Sequence, residues 1–302
     1  MRRMSPLLLL LATTAYAQDA ELVYQRTLNG TVIMTGNTLG RAGASTNTNP
    51  LIINPGASTY RDQPGKFHAA YTWINDRNPP TQDNGAWGNY TTARWQDNLS
   101  FADLQLPPTA SVVSAYLVWS GSCIQTDSAG TQNVRANIRD AVIFEYPLAT
   151  GGSQQDFVTP SYTEDHCGET VDGYVSWADV TGTVKGWQSG LYGVGRVPGT
   201  QNLTQDGFAG WTLIVTISDP TNYPNPHQIS LYRGWVPPAT SDTSPATRVG
   251  GFCYPDTSDG DDEGRLLVST VEGDASIAGD YLLFGRNTTW QAKNRMWGAR
   301  NP

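Results

Sequence analysis

The densest set of potential ligand atoms is Asp256, Asp259, Asp261, Asp262 and Glu263, gathered around Gly260. Closely spaced carboxylates about a glycine supply the hard oxygen ligands and the sharp turn that Ca²⁺ needs. The spacing is not that of an EF-hand, and a solvated acidic turn between Tyr254 and a strand beginning near Arg265 is the competing reading. Ca²⁺ is therefore the one cofactor the sequence suggests. A second cluster, Glu164-Asp165-His166-Cys167-Gly168-Glu169, reads as a disulfide loop with polar neighbours in preference to a metal site. Paired carboxylates could run glycoside hydrolysis, and Glu145, Glu164, Glu169, Glu263 and Glu272 are the candidates, with many Asp besides, but no spacing singles out a pair. Trp73, Trp87 and Trp95 form the aromatic set. On loops such rings give large rigid contact area for a ligand or partner; alternatively they plug the ends of a β-fold. His68, His166 and His227 are far apart in sequence. The P-loop, dinucleotide-binding, H-E-x-x-H and G-x-S-x-G motifs do not occur, so those chemistries lack their usual support.

Composition narrows the partners. The 302 residues carry 19 Lys+Arg against 27 Asp+Glu, a net charge of −8. Nucleic-acid binding needs basic side chains facing phosphate, and an anionic membrane surface needs a basic run. The only lysines are Lys66, Lys185 and Lys293, so both partners are disfavoured. No apolar stretch beyond the N-terminus is long enough for membrane insertion. Ten Trp and fourteen Tyr with only 15% charged residues exclude a disordered chain.

The first residues read as an export signal. Arg2 and Arg3 form a positive n-region, residues 6–12 an apolar core, and Ala15-Tyr16-Ala17 a cleavage site that leaves Gln18 first. Removal of both arginines leaves 17 Lys+Arg against 27 Asp+Glu, or −10. Export implies an oxidising compartment, in which cysteines are disulfide candidates. Cys123 and Cys167, both in polar loops between expected strands, are the favoured pair, with Cys253 as the alternative partner.

The elements that would position these residues are strands. Gly (31) and Pro (19) are abundant, and the 27 acidic residues include only 6 Glu, a balance that favours turns over helices. Residues 22–28 and 31–35 read as strands joined in a hairpin at Asn29-Gly30. Residues 110–120 and 211–218 are apolar on both faces, as in central strands. Further strands are expected over 142–146, 228–236, 248–252, 265–271 and 280–284. Residues 149–172 read as a polar loop. Residues 177–187 form the one helical candidate, with Val180, Val184 and Trp187 on one face and Asp179 or Ser176 as cap. The fold class is all-β: a two-sheet sandwich of jelly-roll type with long irregular N-terminal loops and one short helix. Residues 1–17 are the signal peptide, and 18–302 form a single domain with a loop-rich, Trp-containing insertion over about 36–100.

Several segments, in order, resemble a known module. They are Gly36-Asn37-Thr38-Leu39-Gly40; residues 106–113 (LPPTASVV) running into Ala115-Tyr116-Leu117-Val118-Trp119-Ser120-Gly121; Ala178-Asp179-Val180-Thr181; residues 210–215 (GWTLIV) with Asp219-Pro220; residues 229–235 (ISLYRGW); and residues 279–285 (GDYLLFG). This succession is similar to the N-terminal β-rich module of large secreted bacterial surface proteins that continue into conserved Ig-like (DUF11-type) repeats, which are not among these residues. The resemblance spans roughly residues 30–290. It implies a non-enzymatic surface module and carries no catalytic residues.

The resulting expectation is an exported, non-enzymatic binding or assembly module of a cell surface or extracellular matrix, acting in adhesion. Its partners would be envelope or matrix proteins or glycans, with self-association through an exposed strand edge. The alternative is a secreted carbohydrate-active protein, either a lectin-like binder or a glycoside hydrolase.

Overall fold

The computed structural model of the chain describes residues 20–39, 71–73, 95–97, 99–123, 134–168, 172–199, 209–235, 249, 266–269, 281–286 and 289–294. At 38, 71–73, 97, 281–286 and 289–294 the description is of the backbone. In chain order the elements are β1 (Glu21–Leu28), β2 (Gly30–Thr38), β3 (Tyr71–Trp73), β4 (Leu99–Leu104), β5 (Ser111–Ser122), β6 (Val142–Pro147), β7 (Ser153–Val158) and β8 (Tyr162–Asp165). There follow β9 (Gly173–Asp179), α1 (Thr181–Trp187), β10 (Gly190–Gly195), β11 (Ala209–Ser218), β12 (His227–Arg233), β13 (Tyr281–Arg286) and β14 (Thr289–Asn294). The protein is mostly β. There are two five-stranded sheets, β3-β4-β10-β6-β7 and β2-β11-β5-β9-β8, and two two-stranded ribbons, β1-β12 and β13-β14. Every pairing is antiparallel, and neither large sheet closes into a barrel.

The two large sheets share one core. In β5 and β11 the pairs Trp119↔Trp211, Leu117↔Leu213 and Ala115↔Val215 lie opposite one another, and all six side chains are buried in the same cluster. Such alternation follows from the two-residue period of a strand. Ala102, Leu104, Phe144, Tyr192 and Val194 of the other sheet belong to that cluster. Polar bonds join the sheets as well. Trp211 Nε1 donates to Ser100 Oγ (2.7 Å), Asn37 Nδ2 to the Phe101 carbonyl (2.8 Å) and Thr35 Oγ1 to the Asp103 carbonyl (2.8 Å). Each satisfies a polar group that burial would otherwise penalise.

The Asn29-Gly30 hairpin expectation is overturned. β1 pairs with β12 and β2 with β11, so the chain bends at Asn29 and passes from one sheet to another. The bend's polar groups are met by the turn after β11: Asp219 N–H donates to the Asn29 carbonyl (2.8 Å), and Asn29 Nδ2 to the Pro224 carbonyl (2.6 Å). A Cβ on Gly30 would lie 1.8 Å from the Ile217 carbonyl oxygen, so glycine serves close approach there, not a two-residue turn. Two other boundaries also move. The expected polar loop 149–172 contains strands β7 and β8. The expected helix begins only at Thr181, because Trp177 and Asp179 belong to β9; the Asp179 carboxylate accepts the Thr181 N–H (2.8 Å) at the helix start. Val249 and 266–269 adopt no strand.

Two contacts yield direct tests. Tyr174 is fully buried, donates its hydroxyl to the Pro198 carbonyl (2.6 Å), and receives Ser120 Oγ at its own carbonyl (2.6 Å). Burial raises the Tyr174 phenol well above its ordinary pKa, so the hydroxyl stays a donor. Tyr174→Phe should cost about 1–3 kcal/mol, because it strands a buried carbonyl; urea unfolding measures this.

Asp219 is also fully buried and accepts Asn222 Nδ2 (2.6 Å) and Thr109 Oγ1 (2.8 Å), tying the turn after β11 to that before β5. Asn222 and, less strongly, Thr109 hold its pKa below the ordinary 3.8 against an opposing effect of burial. A depressed folded pKa gives stability that is present above the unfolded value and lost as pH falls through the folded one. An Asp219→Asn variant should therefore show a flatter loss of stability below about pH 4 than the parent, as followed by acid titration of circular dichroism.

Candidate functional site: an aromatic and charged row beneath the β1–β12 ribbon

β8 alternates faces, so Tyr162 and Glu164 share one face while Thr163 takes the other. Thr163 Oγ1 meets Ser176 Oγ (2.9 Å), and Ser176 is fully buried. On the opposite face Tyr162 stands across from Trp177 and Glu164 across from Val175. Tyr116 of β5 continues that row, its ring 4.7 Å from Trp177.

The β1–β12 ribbon lies over this row. Tyr24 of β1 meets Tyr116 edge-on at 6.1 Å. The Arg233 guanidinium of β12 sits 3.4 Å from the centre of the Tyr162 ring and pairs with Glu21 of β1 at 2.8 Å. Past the ends of β8 and β12, the His166 ring stacks on Trp235 at 4.8 Å, and His166 Nε2 lies 3.0 Å from Glu164 Oε1. Glu164 and His166 are only 14% and 17% exposed. A guanidinium over an aromatic face is worth more when partly dehydrated, as Arg233 is at 18% exposure. Burial, then the Glu164 charge, raises the Tyr162 pKa, and Arg233 opposes them. Burial and Asp179 raise that of Tyr116. Both phenols are therefore neutral donors at physiological pH.

The loop that carries His166 is fixed covalently. Cys123, after β5, is bonded to Cys167, after β8, with Cα atoms 5.4 Å apart. Around the bridge, Cys123 N–H donates to the Asp172 carbonyl (2.9 Å), Cys167 N–H to Asp165 Oδ1 (2.9 Å) and Gly168 N–H to Asp172 Oδ1 (2.7 Å). Gly168 has φ +91°, a conformation that suits glycine. The favoured Cys123–Cys167 pairing is thus the one formed. Cys123, Cys167 and Asp172 also bring three potential metal-donor atoms together, but with the sulfurs bonded to each other neither offers a thiolate.

The other sequence candidates are placed as follows. Asp256, Asp259, Asp261, Asp262 and Glu263 lie outside the described residues, as does Trp87. Trp73 is in β3, whose backbone alone is described. Trp95 opens a 3-10 turn before β4, is 2% exposed and belongs to the shared core. Glu145 accepts bonds from Ser153 Oγ and Gln155 Nε2 (2.7 Å) across β6 and β7. Sequence reasoning did not find the row Tyr24, Tyr116, Trp177, Tyr162, Arg233 and Trp235. The spacing of Tyr162, Glu164 and His166 at every second residue was its one local signal. No helix among the described residues is long and apolar enough to cross a membrane. Comparison of the chain with protein-family models, curated proteins and solved structures returned no match.

Proposed function

We propose that this is an exported, non-enzymatic binding and assembly module of a bacterial cell surface or extracellular matrix, a single domain built as a sandwich of jelly-roll type. One observation carries the reading. Four of the six segments that resemble the surface-protein module, lying between Gly36 and Val215 in sequence, fall on β2, β11, β5 and β9, consecutive neighbours in one sheet. The likeness is therefore one of scaffold, and scaffold is what such a module contributes. The n-region, apolar core and A-x-A site at the N-terminus support export, and the Cys123–Cys167 bridge suits an oxidising compartment. Partners would be envelope or matrix proteins or glycans, and Ca²⁺ at residues 256–263 would stiffen the module.

The test uses purified residues 18–302. They should be retained on isolated cell-envelope material, and should release no reducing sugar from polysaccharides over hours. Retention absent, with sugar released, would favour the glycoside hydrolase alternative. Thermal unfolding in calcium and in EDTA tests the cation separately. A bound ion raises the unfolding free energy by mass action, by about 2.7 kcal/mol at a hundredfold excess over Kd, and the midpoint rises with it. The shift should vanish in Asp259→Ala/Asp261→Ala. A lectin-like reading is the second possibility, favoured by the partly buried His166–Trp235 stack, and a glycan array addresses it.

A further inference from the structure

We infer that β1 exchanges between two copies of this chain, each copy's β1 pairing with the other's β12. The inference rests on the assembly role proposed above and specifies its contact. Three features of β1 carry it.

First, β1 forms its ladder with β12 alone, while β2 forms its own with β11. The two strands are separated by one residue, Asn29. Tyr24 reaches Tyr116 on β5, and β5 is two strands in from β2, so the chain must fold back sharply at Asn29. Opening that bend would merge residues 21–38 into one continuous strand. A connection as short as this single residue favours exchange over a long flexible loop, which closes readily within one chain.

Second, β1 is lightly anchored. None of its residues is fully buried. Beside the backbone ladder to β12, its described side-chain ties include the Tyr24–Tyr116 edge contact, the Glu21–Arg233 pair and the bond from Gln25 Nε2 to Ser230 Oγ (3.1 Å). Its ladder slips in register between Leu22 and Tyr24.

Third, the place β1 leaves is one that only a strand of the same chemistry fills. Release would take Tyr24 off the Tyr116 ring, which in turn packs on Trp177, and would leave β12 without its ladder partner. A second copy's β1 restores each contact with the same residues: its Tyr24 on Tyr116, its Glu21 on Arg233, its Gln25 on Ser230. The closed monomer and the exchanged dimer differ only at Asn29 and in the entropy of association, so protein concentration selects between them.

The experiment is a covalent trap. Gln25 and Ser230 are opposite one another in the ladder. Residues 18–302 carrying Gln25→Cys and Ser230→Cys, with Cys253→Ser to remove the third cysteine, are refolded over a range of concentrations, oxidised and run on a non-reducing gel. The expected result is a reducible dimer whose share rises with concentration, with mapping that shows the new bond between two chains. Inserting two glycines after Asn29 should relax the hinge and return the bond to within one chain. A bond that stays within one chain at every concentration overturns the proposal. So does a dimer abolished by Gln155→Pro, which would place the contact at the free edge of β7. Should the cysteine variant not fold, light scattering of the unmodified chain against the two-glycine insertion decides: equal masses for both overturn the exchange. A monomer that still binds envelope material would leave the assembly module standing without this contact.

Discussion

Replacing Trp211 by alanine is expected to lower the unfolding free energy by about 3–5 kcal/mol, the range for deleting a buried aromatic side chain. Trp211 is 1% exposed, lies opposite Trp119, and donates Nε1 to Ser100 on the other sheet. Truncation leaves a cavity where the two sheets meet and a buried serine hydroxyl without its donor. Trp211→Phe separates these effects. It keeps much of the ring volume and loses the bond, so its cost should fall near the lower figure of about 1–3 kcal/mol for an unpaired buried group. Chemical denaturation of both variants gives the two numbers. A loss below about 1 kcal/mol in the alanine variant would mean that the sheets do not share a core there.

The second large effect concerns the disulfide. Cys123 and Cys167 are separated by 44 residues. Closing a loop of that size removes unfolded-chain entropy worth about 4 kcal/mol in the chain-entropy account. Cys123→Ala/Cys167→Ala should lose about that much, and reduction of the parent should do the same. The loss has a local consequence. The bridge fixes the loop between β8 and β9, so amide exchange at His166 and Gly168 should accelerate more than at Leu213 in the centre of β11.

Which parts of this architecture could be read beforehand follows from how local each signal is. β5 and β11 are visible in sequence because central strands covered on both faces are apolar at nearly every position, as residues 111–119 and 211–217 are. β7 is invisible for the opposite reason. Ser153–Val158 is an edge strand with almost every side chain exposed, so no apolar pattern marks it. At residues 177–187 the helical spacing of Val180, Val184 and Trp187 is genuine. It cannot reveal that Trp177 points away on a strand, since that depends on pairing with Val118 and Tyr162. At Asn29-Gly30 the local turn preference is outweighed by two long ladders, and the glycine is needed for an approach to Ile217 that no short window contains.

The site divides in the same way. Cys123 with Cys167 was legible once export was inferred, because few pairings exist among three cysteines. Glu164 and His166 stand out as chemistry, two residues apart. Their neighbours do not: Arg233 reaches Tyr162 across 71 positions (233 − 162), and Glu21 reaches Arg233 across 212. Of the aromatic candidates Trp95 is in the core, while Tyr24, Tyr116 and Trp177, which were not candidates, form the row beneath the ribbon. Residue type alone does not separate a ring in the shared core from one beneath the ribbon.

The central claim, an exported surface module, is tested most directly by expressing the whole chain in an export-competent bacterium and determining where and in what form it accumulates. N-terminal sequencing, protease treatment of intact cells and thiol labelling read this out on one sample. The account predicts a chain beginning at Gln18, cleaved by protease added outside the cells, with Cys123 and Cys167 oxidised. A chain that retains Met1, survives protease treatment of intact cells and labels at both cysteines would contradict it.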